Sequence, residues 1–139
     1  MTTTWLIDTA IFKMLGSPNA VRLRHWVEAN DASLFLSTAS LTEIAAAIGR
    51  APANQPQRSA AMWKWFDEVC VQFADRILTV DSEIATRAGL LLPNVRNGLP
   101  RHRLHDALLV ATAQVRGHGL LTRREGMFGR WTNVPIAPI

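Results

Sequence analysis

Four short apolar runs, Trp5-Leu6-Ile7, Leu34-Phe35-Leu36, Ile77-Leu78-Thr79-Val80 and Leu120-Leu121-Thr122, are separated by stretches of helical period. This alternation constrains the chain more than any other feature, because strands divided by helices pack as βα units around a parallel sheet. The expected fold class is therefore α/β, and 139 residues suit one domain with one core. The first run stops abruptly at Asp8-Thr9. Ligands of open α/β sheets bind beyond the carboxyl ends of the strands, so Asp8 is either a helix cap or part of a site.

Between these runs the helices can be placed from their apolar spacing. Thr9 to Leu15 makes a first helical turn or two, interrupted by Gly16-Ser17-Pro18. Ser17-Pro18 reads as a cap followed by proline at the first helical position, opening a helix to about Asn30 with Val21, Trp26 and Val27 on its apolar face. Ser37 to Arg50 carries Leu41, Ile44, Ala45 and Ile48 on one stripe, as an amphipathic helix requires. A long helix from about Gln57 to Asp75 is expected to bury Met62, Phe66, Val69, Cys70 and Phe73. Trp63 lies well round from that stripe, which reads either as a partner surface on this helix or as a tryptophan half covered by neighbouring loops. Asp81 is placed to cap a helix reaching about Arg96, Asn97-Gly98 signals a turn, and Leu104 to Arg116 is helical until Gly117 and Gly119. Val134-Pro135-Ile136 suits a short edge strand, where proline is tolerated.

Two further acids stand out by position. Glu43 completes capping-box spacing in Ser40-Leu41-Thr42-Glu43, which offers a structural role beside a functional one. Asp106 belongs to a helix with Leu104, Leu108, Ala111, Thr112 and Val115 on one stripe, while Leu109, Val110 and Ala113 cover much of the remainder. Such a helix is apolar nearly all round and should be buried, and a buried charge is costly unless paired or metal-bound. A first-turn position also favours an acid through the helix dipole. His105 reads as a hydrogen-bonding group at the helix start or a phosphate contact, since no second histidine sits at ligand spacing.

The formal charge is +4, and arginine outnumbers lysine 13 to 2, which favours bidentate contact with phosphate or carboxylate. Seven arginines, at 96, 101, 103, 116, 123, 124 and 130, face only Asp106 and Glu125 in that span, as suits a polyanionic partner. The single cysteine, Cys70, excludes an internal disulfide and a thiolate metal cluster. With neither a secretory signal pattern nor an apolar run long enough for a bilayer, the expectation is a soluble, cytoplasmic protein without membrane contact.

Taken together, Leu6-Ile7-Asp8-Thr9, Leu36-Ser37-Thr38-Ala39-Ser40-Leu41-Thr42-Glu43-Ile44, His105-Asp106-Ala107-Leu108-Leu109-Val110-Ala111-Thr112-Ala113 and Leu121-Thr122-Arg123 resemble, in order and spacing, the PIN-domain ribonucleases, specifically the VapC toxins of bacterial toxin–antitoxin pairs. The resemblance implies a single PIN-like domain over residues 1–139, with a central parallel sheet of four or five strands flanked by helices on both sides. It also implies the toxin of a type II toxin–antitoxin system, a Mg²⁺- or Mn²⁺-dependent endoribonuclease. Asp8, Glu43 and Asp106 would be its catalytic, metal-holding acids, with Glu43 either a ligand or an orienter of a metal-bound water. Carboxylate-held cations supply charge neutralisation and a hydroxide for phosphodiester hydrolysis. Arg123, Arg124, Arg101 and Arg103 would hold the RNA backbone. Implied partners are a VapB-type antitoxin whose tail enters the acid cleft, often placing an arginine there, RNA, and a second copy in a homodimer or hetero-oligomer, with Met62, Trp63 and Trp65 as the candidate antitoxin or dimer contact.

The chain departs from the family pattern at three places. Ala10 stands where asparagine is usual, Arg124 where asparagine or aspartate is usual, and Met127 where another aspartate often stands. The fourth acid is thus absent from both expected positions, with Glu125 one residue out of register as its candidate substitute. Less negative charge predicts at most one well-bound metal, or one recruited with RNA. The alternative function is a degenerate PIN domain with weak or no nuclease activity that acts by binding RNA or an antitoxin. Other acid-using α/β folds fit worse: Ala10 denies the second aspartate of a haloacid-dehalogenase-type site, Lys13 and Lys64 are the only lysines and neither lies late in the chain as a receiver domain needs, and no glycine-rich turn follows a strand as dinucleotide binding requires.

Overall fold

The computed structural model describes residues 3–92 and 103–139. Four strands form one sheet: β1 (Trp5–Ile7), β2 (Leu34–Ser37), β3 (Ile77–Leu78) and β4 (Gly119–Leu121), in the order β3-β2-β1-β4. All pairs are parallel, with Trp5 opposite both Leu34 and Gly119 and with Leu36 opposite Ile77. The expected parallel α/β sheet is present, with four strands. The helices are α1 (Ala10–Leu15), α2 (Val21–Ala29), α3 (Thr38–Gly49), α4 (Pro56–Gln72), α5 (Ser82–Leu91), α6 (Arg103–Arg116) and α7 (Glu125–Trp131). Among the described residues no helix is long and apolar enough to cross a membrane.

This strand order determines where a site can form. The chain moves outward from β1 to β2 to β3, then returns to the other side of β1 to lay down β4. The direction of winding therefore reverses between β1 and β4, and the crevice beyond their carboxyl ends is a topological switch point. Side chains alternate across the strands with period two. Ile7, Leu34, Leu36 and Leu121 share a core with Ile11, Leu23, Val69 and Phe73, from α1, α2, α4 and its carboxyl end. On the opposite face Leu6 and Leu120 pack with Leu109, Val110, Ala113 and Phe128 from α6 and α7.

Helix α6 is buried on two sides, which explains its nearly continuous apolar sequence. Leu109, Val110 and Ala113 meet the sheet, while Ala107 and Ala111 pack on Ile84 and Ala88 of α5. The stripe expected from spacing is partly wrong: Leu104 is exposed, and Leu108 and Val115 are half-buried. The small residues at 107 and 111 take the close helix–helix contact instead.

Several boundaries differ from the sequence reading. Ser17-Pro18 does not start α2; the Ser17 carbonyl accepts from Ala20 N at 3.1 Å, making a turn, and Ala20 is the cap. The buried residue of α2 is Leu23, and Val21 is exposed. Ser40 is inside α3 rather than capping it, because Ser37 already accepts from Ala39 N at 3.0 Å, so Glu43 is not part of a capping box. Of the residues expected to be buried on the long helix, only Val69 and Phe73 are; Met62, Phe66 and Cys70 are half-buried. Asp81 does cap α5, accepting from Ile84 N at 2.9 Å. The Asn97-Gly98 turn lies outside the described residues, and α7 has no counterpart in the sequence reading.

Gly117 ends α6 with a φ of 76°, whereas Gly119 belongs to β4. A Cβ at Gly119 would come within 2.5 Å of the Trp5 ring and 2.8 Å of the Pro135 carbonyl oxygen. That oxygen accepts from Leu120 N at 2.8 Å and Ala137 N donates to Leu120 O at 2.9 Å, so the segment around Pro135 extends the sheet edge without needing the missing proline N–H. Gly119→Ala is therefore expected to cost about 1–3 kcal/mol through overpacking. Gly89→Ala, in the interior of α5 with nothing near the added methyl, should instead add about 0.5–1 kcal/mol. Urea unfolding of the two variants checks the opposite signs.

Candidate functional site

Asp8 follows β1 directly, Thr122 follows β4 directly, and Asp106 lies in the first turn of α6. The switch point thus brings two aspartates from distant parts of the chain to one place, where both are buried, at 2% and 4% exposure. Two carboxylates so placed need a counter-charge, and it comes from the chain itself. Arg124, the residue before α7, lays its guanidinium across both. Its Nε donates to Asp8 Oδ2 and its Nη2 to Asp8 Oδ1, each at 2.9 Å. Nη2 also donates to Asp106 Oδ1 at 2.8 Å, and Nη1 to Asp106 Oδ2 at 3.3 Å.

The surrounding groups hold this arrangement in register. Thr122 Oγ1 donates to Asp8 Oδ2 at 2.7 Å and accepts from the Arg124 backbone N at 2.9 Å, so one buried hydroxyl positions both partners. Arg103 Nη1 donates to Asp106 Oδ2 at 3.1 Å. The Phe128 ring lies under the Arg124 guanidinium, 4.9 Å from its carbon, in cation–π geometry. Burial lowers the Arg124 pKa, but hydrogen bonds and charge from Asp8 and Asp106 outweigh that and hold it above its ordinary value. The side-chain cap reading of Asp8 is weak, since its carboxylate meets the following helix at Ala10 N only at 3.5 Å, while its backbone carbonyl accepts from Ile11 N at 2.9 Å.

Glu43 sits on α3 at the rim of the same cleft and is less buried, with 38% of its side chain exposed. Its Oε1 lies 3.3 Å from His105 Nδ1, so His105 meets an acid from a neighbouring helix. Thr9 Oγ1 donates to Ser40 Oγ at 2.9 Å, tying the end of β1 to the first turns of α3 and so fixing Glu43 relative to Asp8. Burial raises the Glu43 pKa, with His105 opposing and the charges of Asp106 and Asp8 adding to the rise.

The cleft has a volume of about 970 Å³ and continues from the acids over Phe12, Ile44 and Ile48 to Met62 and Trp65 of α4, with Lys13, Arg50 and Arg58 at its edge. Of the three residues expected at a partner surface, Met62 and Trp65 line this groove, and Trp63 does not. Trp63 is 40% exposed and packs edge-on against Phe66 of its own helix.

The structure redirects three of the four arginines expected on RNA or leaves them undescribed. Arg124 and Arg103 turn inward to the aspartates, because two buried carboxylates exert a stronger pull than solvent. Arg101 lies outside the described residues. Arg123 is exposed, with Nη1 donating to the Ile139 carbonyl at 3.0 Å. Glu125 is also exposed and is not among the residues lining the cleft, so the corner of the missing fourth acid is filled by Arg124. Thr122 is the site residue the sequence reading missed. Its signal was a hydroxyl directly after an apolar strand, the same placement that singled out Asp8.

Oxygen donors of this kind suit Mg²⁺ or Mn²⁺ in chemical type. As arranged, they do not fit a resident cation. Every carboxylate oxygen of Asp8 and Asp106 already bonds a guanidinium, and among the described residues no three His, Cys, Asp or Glu side chains come together as a metal-binding cluster. The expected convergence of Asp8, Glu43 and Asp106 is met by one shared cleft, but only the aspartates are joined through a common cation.

Fold and site define a class: a parallel α/β protein with paired acids at its switch point. The family model for the PIN domain matches residues 6–129, and the chain belongs to that family. No curated protein matches it significantly. Among solved structures it is similar to a chain of the DNA-bound VapBC of Salmonella typhimurium, at 23% identity and TM-score 0.68 with 98% of each chain covered. It is similar also to FitAcB of Neisseria gonorrhoeae, at 19% and 0.77 with 96% of each covered, and to a toxin–antitoxin complex of Klebsiella pneumoniae, at 24% and 0.60 with 96% of each covered. At these identities the likeness is one of fold.

Two outcomes follow from the geometry. Thr122→Val keeps the shape but removes the hydroxyl that serves Asp8 and Arg124 together, and should cost about 1–3 kcal/mol in urea unfolding. Because the folded-state pKa of Glu43 is raised above its ordinary 4.5, folding favours its protonated form. The stability it contributes is full below pH 4.5 and is lost as pH rises through the folded-state value. Glu43→Gln should remove that decline, read as a flatter melting temperature against pH just above 4.5.

Proposed function

We propose that this chain is the toxin of a type II toxin–antitoxin pair and acts on RNA as an endoribonuclease, with Asp8, Asp106 and Glu43 as its acid set and with Mg²⁺ or Mn²⁺ as a cofactor recruited with RNA, not resident in the site as arranged. PIN domains are in general nucleases, and the observation that carries this reading is the assembly of the three acids, from three separate elements, along one cleft at the switch point. Arg123 and the basic edge of the groove are the groups available to an RNA backbone.

The proposed partner is a VapB-type antitoxin, with homodimers or hetero-oligomers as the assembly. The similar structures include a toxin–antitoxin complex of Klebsiella pneumoniae and a DNA-bound VapBC of Salmonella typhimurium, and here an apolar groove with cationic edges runs from the acids to α4. Such a groove suits an amphipathic segment carrying acidic residues. A partner need not bring its own arginine to the aspartates, since Arg124 already neutralises them.

A second reading is favoured by Arg124 itself: a PIN domain with weak or no nuclease activity that binds RNA or an antitoxin. The two separate in one assay. Purified chain, freed of antitoxin, is incubated with total RNA and with transfer RNA, with and without Mg²⁺ or Mn²⁺, beside Asp8→Asn. Cleavage by wild type alone supports the enzyme; RNA left equally intact by both proteins under every metal supports the binding domain.

A further inference from the structure

Arg124 stands where the family pattern has a neutral or acidic side chain, and it is built into the site rather than lying over it. Its backbone N is fixed by Thr122 Oγ1, its guanidinium rests on Phe128, and three of its nitrogens reach all four oxygens of Asp8 and Asp106. A second guanidinium, from Arg103, already shares Asp106 Oδ2. The two aspartates are thus matched by two positive charges and all four of their oxygens are already bonded, so that even with Glu43 counted the set offers a divalent cation a net charge of only minus one. If Arg124 leaves, the aspartates with Glu43 and Arg103 carry a net charge of minus two, which suits a divalent cation. The aspartates are sealed by the fold, whereas 35% of the Arg124 side chain is exposed, so Arg124 is the member of the cluster able to move.

We propose that Arg124 is the built-in counter-cation of this site and that it excludes divalent metal: Asp8 and Asp106 take Mg²⁺ or Mn²⁺ only when the guanidinium vacates them. The inference rests on reading these aspartates as a metal-binding pair. It makes the identity of residue 124 the determinant of metal affinity in this chain, ahead of the absent fourth acid. Arginine here is not equivalent to lysine, since the planar fork makes four bonds to the two carboxylates and an ammonium has only three N–H donors.

The test is Mn²⁺ titration by calorimetry of the full chain as wild type, Arg124→Asn, Arg124→Lys and the double variant Asp8→Asn/Arg124→Asn, with melting temperature measured in EDTA and in Mn²⁺. Arg124→Asn should bind one Mn²⁺ at least about tenfold tighter than wild type, with Arg124→Lys between them and the double variant returned to wild-type weakness. Arg124→Asn should also melt lower than wild type in EDTA and recover in Mn²⁺, while wild type shows little shift. Wild type binding Mn²⁺ as tightly as Arg124→Asn overturns the exclusion and leaves the metal-site reading intact. No binding by either, with Arg124→Asn folded by circular dichroism, overturns both. Should Arg124→Asn fold only in Mn²⁺, that rescue supports the proposal; failure to fold in either condition, with Arg124→Lys binding no tighter than wild type, overturns it.

Discussion

Two buried carboxylates held beside each other are the constraint around which this molecule is arranged. At about 4 Å and an effective dielectric of about 20, a pair of unit charges interacts by about 4 kcal/mol. Asp8 and Asp106, close enough for one guanidinium nitrogen to bond both, repel by an interaction of this kind unless a cation lies between them. Arg124 supplies it, with Nη2 bonded to both aspartates at 2.9 and 2.8 Å. The rest of the local structure keeps that guanidinium in place: β4 brings Thr122 beside Asp8, and α7 brings Phe128 beneath Arg124.

The sheet topology makes the meeting possible. Had the chain continued outward after β3, two strands would stand between Asp8 and the residues Thr122 and Arg124. Its return to the far side of β1 places the carboxyl ends of β1 and β4 next to each other, with Asp8 N bonded to Leu121 O at 2.9 Å. Helix α6 must then enter from above the same edge, and its packing between the sheet and α5 through Ala107 and Ala111 leaves Asp106 facing the crevice. Binding geometry and core packing are in this sense one problem, since a larger residue at 107 or 111 would move the carboxylate.

Helix α4 has a different character. Apart from Val69 its face toward the body is only half-buried, and Trp63, Trp65 and Val71 are exposed to 40%, 38% and 77%. Its Trp65 ring meets Phe12 edge-on at 5.9 Å, which forms one wall of the groove that leads to the acids. A helix that gains so little from its own core and carries large aromatic surface is suited to a partner, as tryptophan combines a large apolar area with a polar tip.

The strand–helix alternation, the two-sided burial of α6, the cap at Asp81 and the buried placement of Asp8 and Asp106 were all legible in the sequence, because period, capping chemistry and the cost of a buried charge are local properties. Glu43 and Met62 were also singled out there, though the capping box suggested for Glu43 proved wrong once Ser37 took the cap. What only the tertiary structure decided is the partner of the acids. Arg124 read as one more basic residue for an RNA backbone, since nothing in its neighbours along the chain distinguishes an outward guanidinium from an inward one. Its direction is set by two carboxylates, 116 and 18 residues away, and a charge answers the field of its surroundings in space, not its position along the chain.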